Sequence, residues 1–146
     1  MWLDVPYEPG EVRVVAYDAN GKAAEEKIMR TAGKPHHIEL ITDRTSLTAD
    51  GKDLAYVTVR IVDKDGNLCP TDTRIVQFTV KGAGTYRAAA NGDATCLYVF
   101  HKNKMPAFSG QLTAIVQAGE TKGEITLEAK AKGVKTGKLT LNALQQ

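Results

Sequence analysis

Hydrophobic and polar residues alternate along several short stretches of this chain, as they do in β-strands with one face in a core and one in water. The clearest stretch is 54–66, LAYVTVRIVDKDG, in which every second residue up to Ile61 is aliphatic and a turn follows. Strict alternation favours an antiparallel sheet that is solvated on one side over a parallel sheet covered by helices.

Similar runs predict most of the remaining strands, and no stretch has the period of an amphipathic helix. The runs lie at 36–42, 75–81, 86–90, 112–116, 125–131 and 139–143. About seven strands at this spacing predict an all-β chain with an immunoglobulin-like antiparallel β-sandwich. The predicted core between its sheets is Ala55, Val57, Val59, Ile61, Val76, Phe78, Val80, Leu112, Ala114, Val116, Ile125 and Leu127.

The first 30 residues predict a separate β-hairpin. An alternating strand at 12–16 is followed by the turn DANG and by a second strand at 23–29, and the break TAGKP comes after it. We expect two units: residues 1–32, a hairpin left from an adjacent β-sandwich module, and residues 33–146, the immunoglobulin-like domain. A lone hairpin is marginally stable in water. We therefore expect it to pack on the sandwich or on a second copy of the chain, giving a dimer through the hairpin, with Trp2 and Tyr7 adding apolar area.

Two turns repeat one pattern. Residues 17–22, YDANGK, and 62–67, VDKDGN, both follow an alternating strand. This repetition suggests an internal repeat of related modules, of which the first copy is incomplete.

Residues 91–110 have no clean period. Loops of this length are often functional, or they contain a short edge strand such as Cys96 to Phe100, and the sequence leaves both alternatives open. Aromatic residues cluster around this stretch and are candidates for a platform that contacts sugar rings, or else for core and edge packing. They are Tyr86, Tyr98, Phe100, His101 and Phe108.

Composition excludes several classes of protein. The chain has 146 residues, 42% of them hydrophobic and 25% charged, with a net charge of +2. No apolar run approaches the roughly 18 residues of a membrane-spanning helix. Lysines alternate along strands such as 128–132 instead of clustering, so we expect no nucleic-acid partner.

The residues that could carry chemistry form no recognisable site. Asp63 and Asp65 are a close pair, but a turn explains both, and a calcium loop would need further ligands and a closing glutamate. The three histidines, His36, His37 and His101, cannot be grouped into a metal site by spacing. We expect no catalytic, cofactor-binding or metal-binding residues in this chain.

Two cysteines and the N-terminus leave the cellular compartment open. Cys69 and Cys96 are compatible with one disulfide or with two free thiols. Residue 1 is followed at once by strand-like residues without a basic and apolar leader segment. A module from the interior of a longer secreted protein would look the same.

Several segments together resemble one known family. They are WLDVPYEPGEVRVVAYDANGK (2–22), TAG (31–33), ADGKDLAYVTVRIVDKDGN (49–67), NGDAT (91–95) and AFSGQLTAIVQA (107–118). The chain resembles the C-terminal region of glycoside hydrolase family 2 β-galactosidases from polysaccharide-degrading Gram-negative bacteria. Residues 1 to about 31 resemble the end of one non-catalytic β-sandwich module, and 33–146 resemble the last, immunoglobulin-like module.

This resemblance implies that the catalytic glutamates lie on a (β/α)₈ barrel upstream of this segment. The chain would then be a non-catalytic accessory module whose partners are the catalytic and other domains of the parent glycosidase. Export to the periplasm or cell surface is also implied. The alternative is an independent carbohydrate-binding or surface-adhesion module, and sugar binding by the isolated chain distinguishes the two.

Overall fold

Eleven β-strands make up the regular structure of the chain. The computed structural model describes residues 6–145, and within that range it contains strands, turns and loops but no helix. The strands are β1 (Glu11–Tyr17), β2 (Ala23–Arg30), β3 (His37–Thr42), β4 (Ser46–Thr48), β5 (Leu54–Val62), β6 (Ile75–Gly82), β7 (Gly84–Ala90), β8 (Lys104–Pro106), β9 (Gln111–Ala118), β10 (Gly123–Lys130) and β11 (Gly137–Leu144). Residues 6–145 accordingly contain no helix long and apolar enough to cross a membrane.

Nine of the strands form two sheets that pack face to face. One sheet has the order β3-β5-β9-β7 and the other the order β4-β11-β10-β6-β8. The order β3-β5-β9-β7 matches the four-stranded sheet of an immunoglobulin domain. In the second sheet, the adjacent strands β6, β10 and β11 match its three-stranded sheet. The predicted sandwich is thus confirmed: seven strands have six to nine residues, and two edge strands, β4 and β8, have three each.

One strand pair departs from the antiparallel prediction. β4 lies parallel to β11, with Ser46 opposite Asn142 and Thr48 opposite Leu144. A three-residue strand is too short to show a period in the sequence, which is why the alternation pattern does not reveal it. Through β4, the last strand of the chain has a neighbour on each side.

The predicted core is confirmed with one exception. Eleven of the twelve predicted residues are buried, and Val80, near the exposed end of β6, is half-buried against the same cluster. The structure adds Leu47, Met105 and Leu141, which come from β4, β8 and β11. The short edge strands therefore each contribute one large apolar side chain to the core.

The chain crosses from one sheet to the other at Gly82-Ala83-Gly84, between β6 and β7. Gly82 has φ of +90°, and a Cβ there would lie 2.0 Å from the carbonyl oxygen of Glu124. No other residue fits without displacing backbone, so this glycine is fixed by close approach as well as by its backbone angle.

The stretch 91–103 is a loop of turns, and the alternative of an edge strand at Cys96 to Phe100 is wrong. The short edge strand is β8, which begins at Lys104 and pairs with β6. The reason is burial: Met105 is fully buried, whereas Leu97 is 95% exposed. Residues 97–100 therefore face solvent. The backbone of 96–102 forms local turns, and the carbonyl of Phe100 accepts the N–H of Ala89 from β7 at 2.8 Å.

The predicted N-terminal hairpin is present. β1 and β2 pair antiparallel from Glu11 opposite Arg30 to Tyr17 opposite Ala23, with a bulge at the turn end. Within residues 6–145 these two strands pair with each other and with no strand of the sandwich. The position of Trp2 lies outside the described residues.

Candidate functional site

Asp63 joins the linker after the hairpin to the sandwich. It follows β5 directly and is 2% exposed. Its Oδ2 accepts the backbone N–H of Gly33 at 2.7 Å, and its Oδ1 accepts the backbone N–H groups of Asp65 and Asn67 at 2.9 Å each. The amide of Asn67 also donates to Oδ2 at 3.1 Å. The sequence pattern identified the turn but gave no sign of the contact with Gly33, because that contact spans 30 residues.

These donors determine the charge state of Asp63. The N–H of Gly33 and the side-chain amide of Asn67 hold the pKa of this carboxyl well below its usual range. Hydrogen bonds to the ionised form have this effect, and here they outweigh the opposite effect of burial. The carboxylate is therefore ionised at any physiological pH, and its lone pairs are already used by the protein's own N–H groups. A proton-transfer role or a calcium ligand at Asp63 is not supported by this arrangement.

A groove lies between the hairpin and the sandwich around this contact. It is lined by both units: Gly10, Glu11, Arg30 and Thr31 on one side, and Gly33 to His36 with Asp63 to Asp65 and Asn67 on the other. Thr31 also bonds back to Gly10 through its backbone N–H at 2.8 Å, which closes the hairpin. The linker is thus tied at both ends by hydrogen bonds.

The five predicted sugar-contacting residues do not form one platform. Tyr86 is half-buried, and its ring stacks on that of Phe78 with centroids 5.7 Å apart. Its hydroxyl donates to the carbonyl of Lys102 at 2.7 Å, and burial raises its pKa to about 12. Tyr86 therefore anchors the 91–103 loop to the core and is not available to a ligand.

Four of the five residues are exposed, and they lie in two places. Tyr98, Phe100 and His101 are all on the 91–103 loop, where Tyr98 is 43% and Phe100 60% exposed. Leu97 and Val99 are exposed beside them, so this loop presents an apolar surface. Phe108 is 47% exposed and lies instead beside the start of β9.

Phe108 lines a groove at the edge of the outer face of the β3-β5-β9-β7 sheet, which we call the Phe108 groove. Tyr98, Phe100 and His101 are not part of it. Its side chains are those of Thr58, Asn91, Phe108, Ser109, Gln111 and Thr113, with Ala90, Gly92 and Leu112 completing the walls.

Both cysteines are free thiols. Cys69 is buried, and burial raises the pKa of its thiol. Cys96 is half-buried and lies 4.0 Å from the sulfur of Met105. Of the two alternatives that the sequence left open, the structure has the free thiols.

Each buried acidic side chain in the described part of the chain is already bonded within the protein. Glycosidases of both stereochemical outcomes use two carboxyl groups that face the scissile bond from opposite sides. Asp63 and Asp72 are the buried acidic residues among 6–145. Asp63 is occupied as described, and Asp72 is paired with Arg74, whose Nε lies 2.8 Å from Oδ1. No cluster of three His, Cys, Asp or Glu side chains suited to a metal ion occurs in the same range.

Two family models match separate parts of the chain. The model described as glycoside hydrolase family 2 C-terminal domain 5 matches residues 38–140. A second model, described as a domain of unknown function (DUF4982), matches residues 1–25.

Individual relatives agree with the first match. A β-galactosidase of Bacteroides ovatus is 41% identical over 139 residues, covering 95% of this chain and 16% of that enzyme. A solved structure of a glycosyl hydrolase family 2 member from Bacteroides cellulosilyticus superposes with a TM-score of 0.89 at 29% identity, covering 97% of this chain and 18% of that one. A β-glycosidase from Bacteroides vulgatus has a TM-score of 0.90 at 25% identity, covering 95% and 18%.

The chain thus spans less than a fifth of the length of these relatives, and its sandwich corresponds to one of their domains. The sequence resemblance, the matched family model and the shared fold agree: this chain belongs to the family of glycoside hydrolase family 2 C-terminal domains.

Proposed function

We propose that the chain is a non-catalytic accessory module of a family 2 β-galactosidase, and that it packs on or extends the parent enzyme. The observation that carries this proposal is the hairpin. It matches a different family model from the sandwich, and it exposes an apolar face. Val12, Val14 and Met29 share that face and are 63%, 49% and 73% exposed. Such a patch on a marginally stable hairpin is typical of a surface that another domain covers.

The opposite face of the hairpin carries two ion pairs beside Val15 and Ile28, which are half-buried. Arg13 lies 2.9 Å from Glu26, and Arg30 lies 2.9 Å from Glu11. Apolar side chains thus lie on both faces of the hairpin, and Val12, Val14 and Met29 are more exposed than Val15 and Ile28. We infer that the rest of the preceding module covers the apolar face, as the match of residues 1–25 to a separate domain supports.

The absence of a carboxylate pair in residues 6–145 supports a non-catalytic role, and so does the small share of the relatives that the chain covers. The purified chain is expected not to hydrolyse p-nitrophenyl β-galactoside. Galactosidase activity that co-purifies with the chain and changes in the double variant Asp63→Asn, Asp65→Asn would contradict the proposal.

A second experiment tests the accessory role in the parent. Removing residues 34–146 from the parent enzyme should lower its melting temperature and leave kcat/KM for a small galactoside within about twofold, because such a substrate reaches only the catalytic domain. A loss of about 100-fold in kcat/KM at an unchanged melting temperature would instead place this module in the active site.

We further propose, on the family resemblance, that the parent acts in the periplasm or at the cell surface. Fractionation of the source cells with an antibody against the sandwich tests this. Recovery of the protein in the cytoplasmic fraction would contradict it.

A further inference from the structure

We propose that the Phe108 groove binds a neutral sugar unit of an oligosaccharide or polysaccharide. This goes beyond the accessory role, which requires only contacts with other domains. It also names a site other than the loop that carries Tyr98, Phe100 and His101.

The chemistry of the groove is that of sugar recognition. A sugar ring has polar hydroxyl groups around its edge and an apolar face of C–H groups, so its site needs an exposed aromatic ring together with hydrogen-bonding side chains. The groove supplies the half-exposed ring of Phe108. Hydroxyl groups come from Thr58, Ser109 and Thr113, and an amide comes from Gln111. None of its lining side chains carries a charge, which favours a neutral ligand over a uronate, phosphate or amine.

Several of these polar groups are free. Among residues 6–145, the side chains of Thr58, Gln111 and Thr113 form no hydrogen bonds. The amide of Asn91 is engaged, since it donates to the carbonyl of Pro106 at 3.0 Å and its Oδ1 accepts the N–H of Asp93 at 3.1 Å. Thr58 and Thr113 lie directly opposite each other on β5 and β9, so both hydroxyls project from the same outer face of the sheet. A ligand can therefore form hydrogen bonds there without breaking any.

The ring of Phe108 is held by a rigid turn. Phe108 and Gln111 exchange two backbone hydrogen bonds of 2.9 and 3.0 Å across a two-residue loop. Ser109 has φ of +51°, which is the left-handed region that few residues other than glycine adopt. Positive φ at both Ser109 and Gly110 is the geometry of a type I′ turn, which two-residue hairpin loops favour.

The next residue fixes this turn against the sandwich. The N–H of Gly110 donates to the backbone carbonyl of Asp72 at 3.0 Å, and the carbonyl of Gly110 accepts the backbone N–H of Ile61 at 2.9 Å. A Cβ at Gly110 would lie 2.3 Å from the carbonyl oxygen of Cys69, so the turn touches the loop after β5. An aromatic ring presented from such a support loses little conformational entropy on binding.

The loop at 97–100 has a different chemistry. Its exposed aromatic residues Tyr98 and Phe100 alternate with Leu97 and Val99, so apolar side chains surround them where the Phe108 groove has hydroxyls and amides. This surface suits contact with protein. Phe100 therefore provides a matched control: the same side chain, more exposed, on a surface of the other type.

The test is a titration of the whole 146-residue chain, followed by NMR chemical shifts and calorimetry. The probes are β-1,4-galactohexaose, cellohexaose and, as the charged counterpart, hexagalacturonate. We expect at least one neutral hexasaccharide to bind, with shifts at Thr58, Gln111 and Thr113. Phe108→Ala should weaken binding about tenfold or more, and Phe100→Ala should leave it unchanged. Both side chains are exposed, so both variants should fold, which the NMR spectrum verifies.

Three results would overturn the proposal: no binding of either neutral sugar up to about 10 mM, loss of binding in Phe100→Ala but not in Phe108→Ala, or tighter binding of hexagalacturonate. None of these results bears on the accessory role, because that role is tested by deleting the module from the parent enzyme. The two proposals can therefore fail separately.

Discussion

Two turns of the molecule have the same sequence pattern and the same local hydrogen bonds but differ in their surroundings. In each, one carboxylate oxygen accepts the backbone N–H groups two and four residues later, at 2.8 and 2.9 Å for Asp18 and at 2.9 Å for both in Asp63. Each has a glycine in the left-handed region, Gly21 at φ +76° and Gly66 at φ +83°. Local sequence is sufficient to set this geometry.

The difference lies in the second carboxylate oxygen. That of Asp63 is buried and accepts the N–H of Gly33 from the linker, whereas Asp18 stands exposed at the tip of the hairpin. The same turn is therefore a local feature in one place and a long-range connection in the other. The hairpin and the sandwich differ in the same way: one is held by its own ladder and the other by a shared core.

The largest effect should come from the core of the sandwich. Phe78 is 1% exposed and stacks on Tyr86, so Phe78→Ala should lower the free energy of unfolding by about 3–5 kcal/mol. The matched change in the hairpin, Val14→Ala, shortens an exposed side chain. It should alter the free energy of unfolding by about 0.5 kcal/mol or less. Urea denaturation followed by fluorescence or circular dichroism measures both. Equal effects would mean that the hairpin and the sandwich share a core.

The next effect should separate the two turns. Asp63→Ala leaves three backbone N–H groups without their acceptor, including that of Gly33, so the urea midpoint should fall. Asp18→Ala should leave the same midpoint unchanged. Hydrogen exchange at Gly33 should accelerate in the first variant and not in the second. If both variants lose the same stability, the contact with Gly33 does not stabilise the sandwich.

The third prediction concerns pH. The folded-state pKa of Asp63 lies below its value of about 3.9 in an unfolded chain. The contribution of Asp63 to the free energy of unfolding is therefore fully present above about pH 4. It is lost as the pH falls toward the pKa of this carboxyl in the folded state. The urea midpoint should decrease between about pH 5 and pH 2, and this decrease should be smaller in Asp63→Asn. An acid profile that is the same in both proteins would show that other carboxylates determine it.

Glu128 should also contribute to the decrease of the urea midpoint at low pH. Lys130 and Lys138, with amines 3.0 and 3.1 Å away, lower the pKa of Glu128 to about 2. Because these amines are exposed, high salt should reduce the contribution of Glu128, whereas that of Asp63 should persist. The single variants Asp63→Asn and Glu128→Gln, each measured in high and low salt, distinguish the two carboxylates: salt should abolish the difference from the original chain only for Glu128→Gln.

The smallest expected effect is association through the hairpin. The chain exposes Val12, Val14 and Met29, so we predict a weak dimer that buries these side chains. Light scattering should show the dimer in the chain and a monomer after deletion of residues 1–31, which retains Gly33. Val12→Glu should have the same result within the full chain. A dimer that survives the deletion would refute association through the hairpin.

Much of the fold could be predicted from the sequence because alternation is a local signal. It located the seven longer strands and eleven of twelve core positions. It missed β4 and β8, since three residues cannot show a period, and it suggested a strand at 96–100, where an apolar run is exposed instead. Burial depends on which segments meet, and a run of five residues does not specify this.

The candidate sites were harder to predict for the same reason. Aromatic residues close in sequence suggested one platform, but the fold turns Tyr86 inward and separates Phe108 from Tyr98. The Phe108 groove depends on Thr58 and Thr113, which are 55 positions apart in the sequence and opposite each other in the sheet. The signal that could have pointed to it is the Ser-Gly pair after Phe108, which is typical of a tight turn.

The position of β11 between β10 and β4 sets an order of events during synthesis of the protein. The backbone ladder of the hairpin lies within residues 10–31, so it can form as soon as these leave the ribosome. The sandwich must wait until β11 has emerged, because β4 pairs only with β11 among the strands of residues 6–145 and Leu141 belongs to the core. Until then the nascent chain carries exposed strand edges, and this is the interval in which chaperones that bind such edges can act.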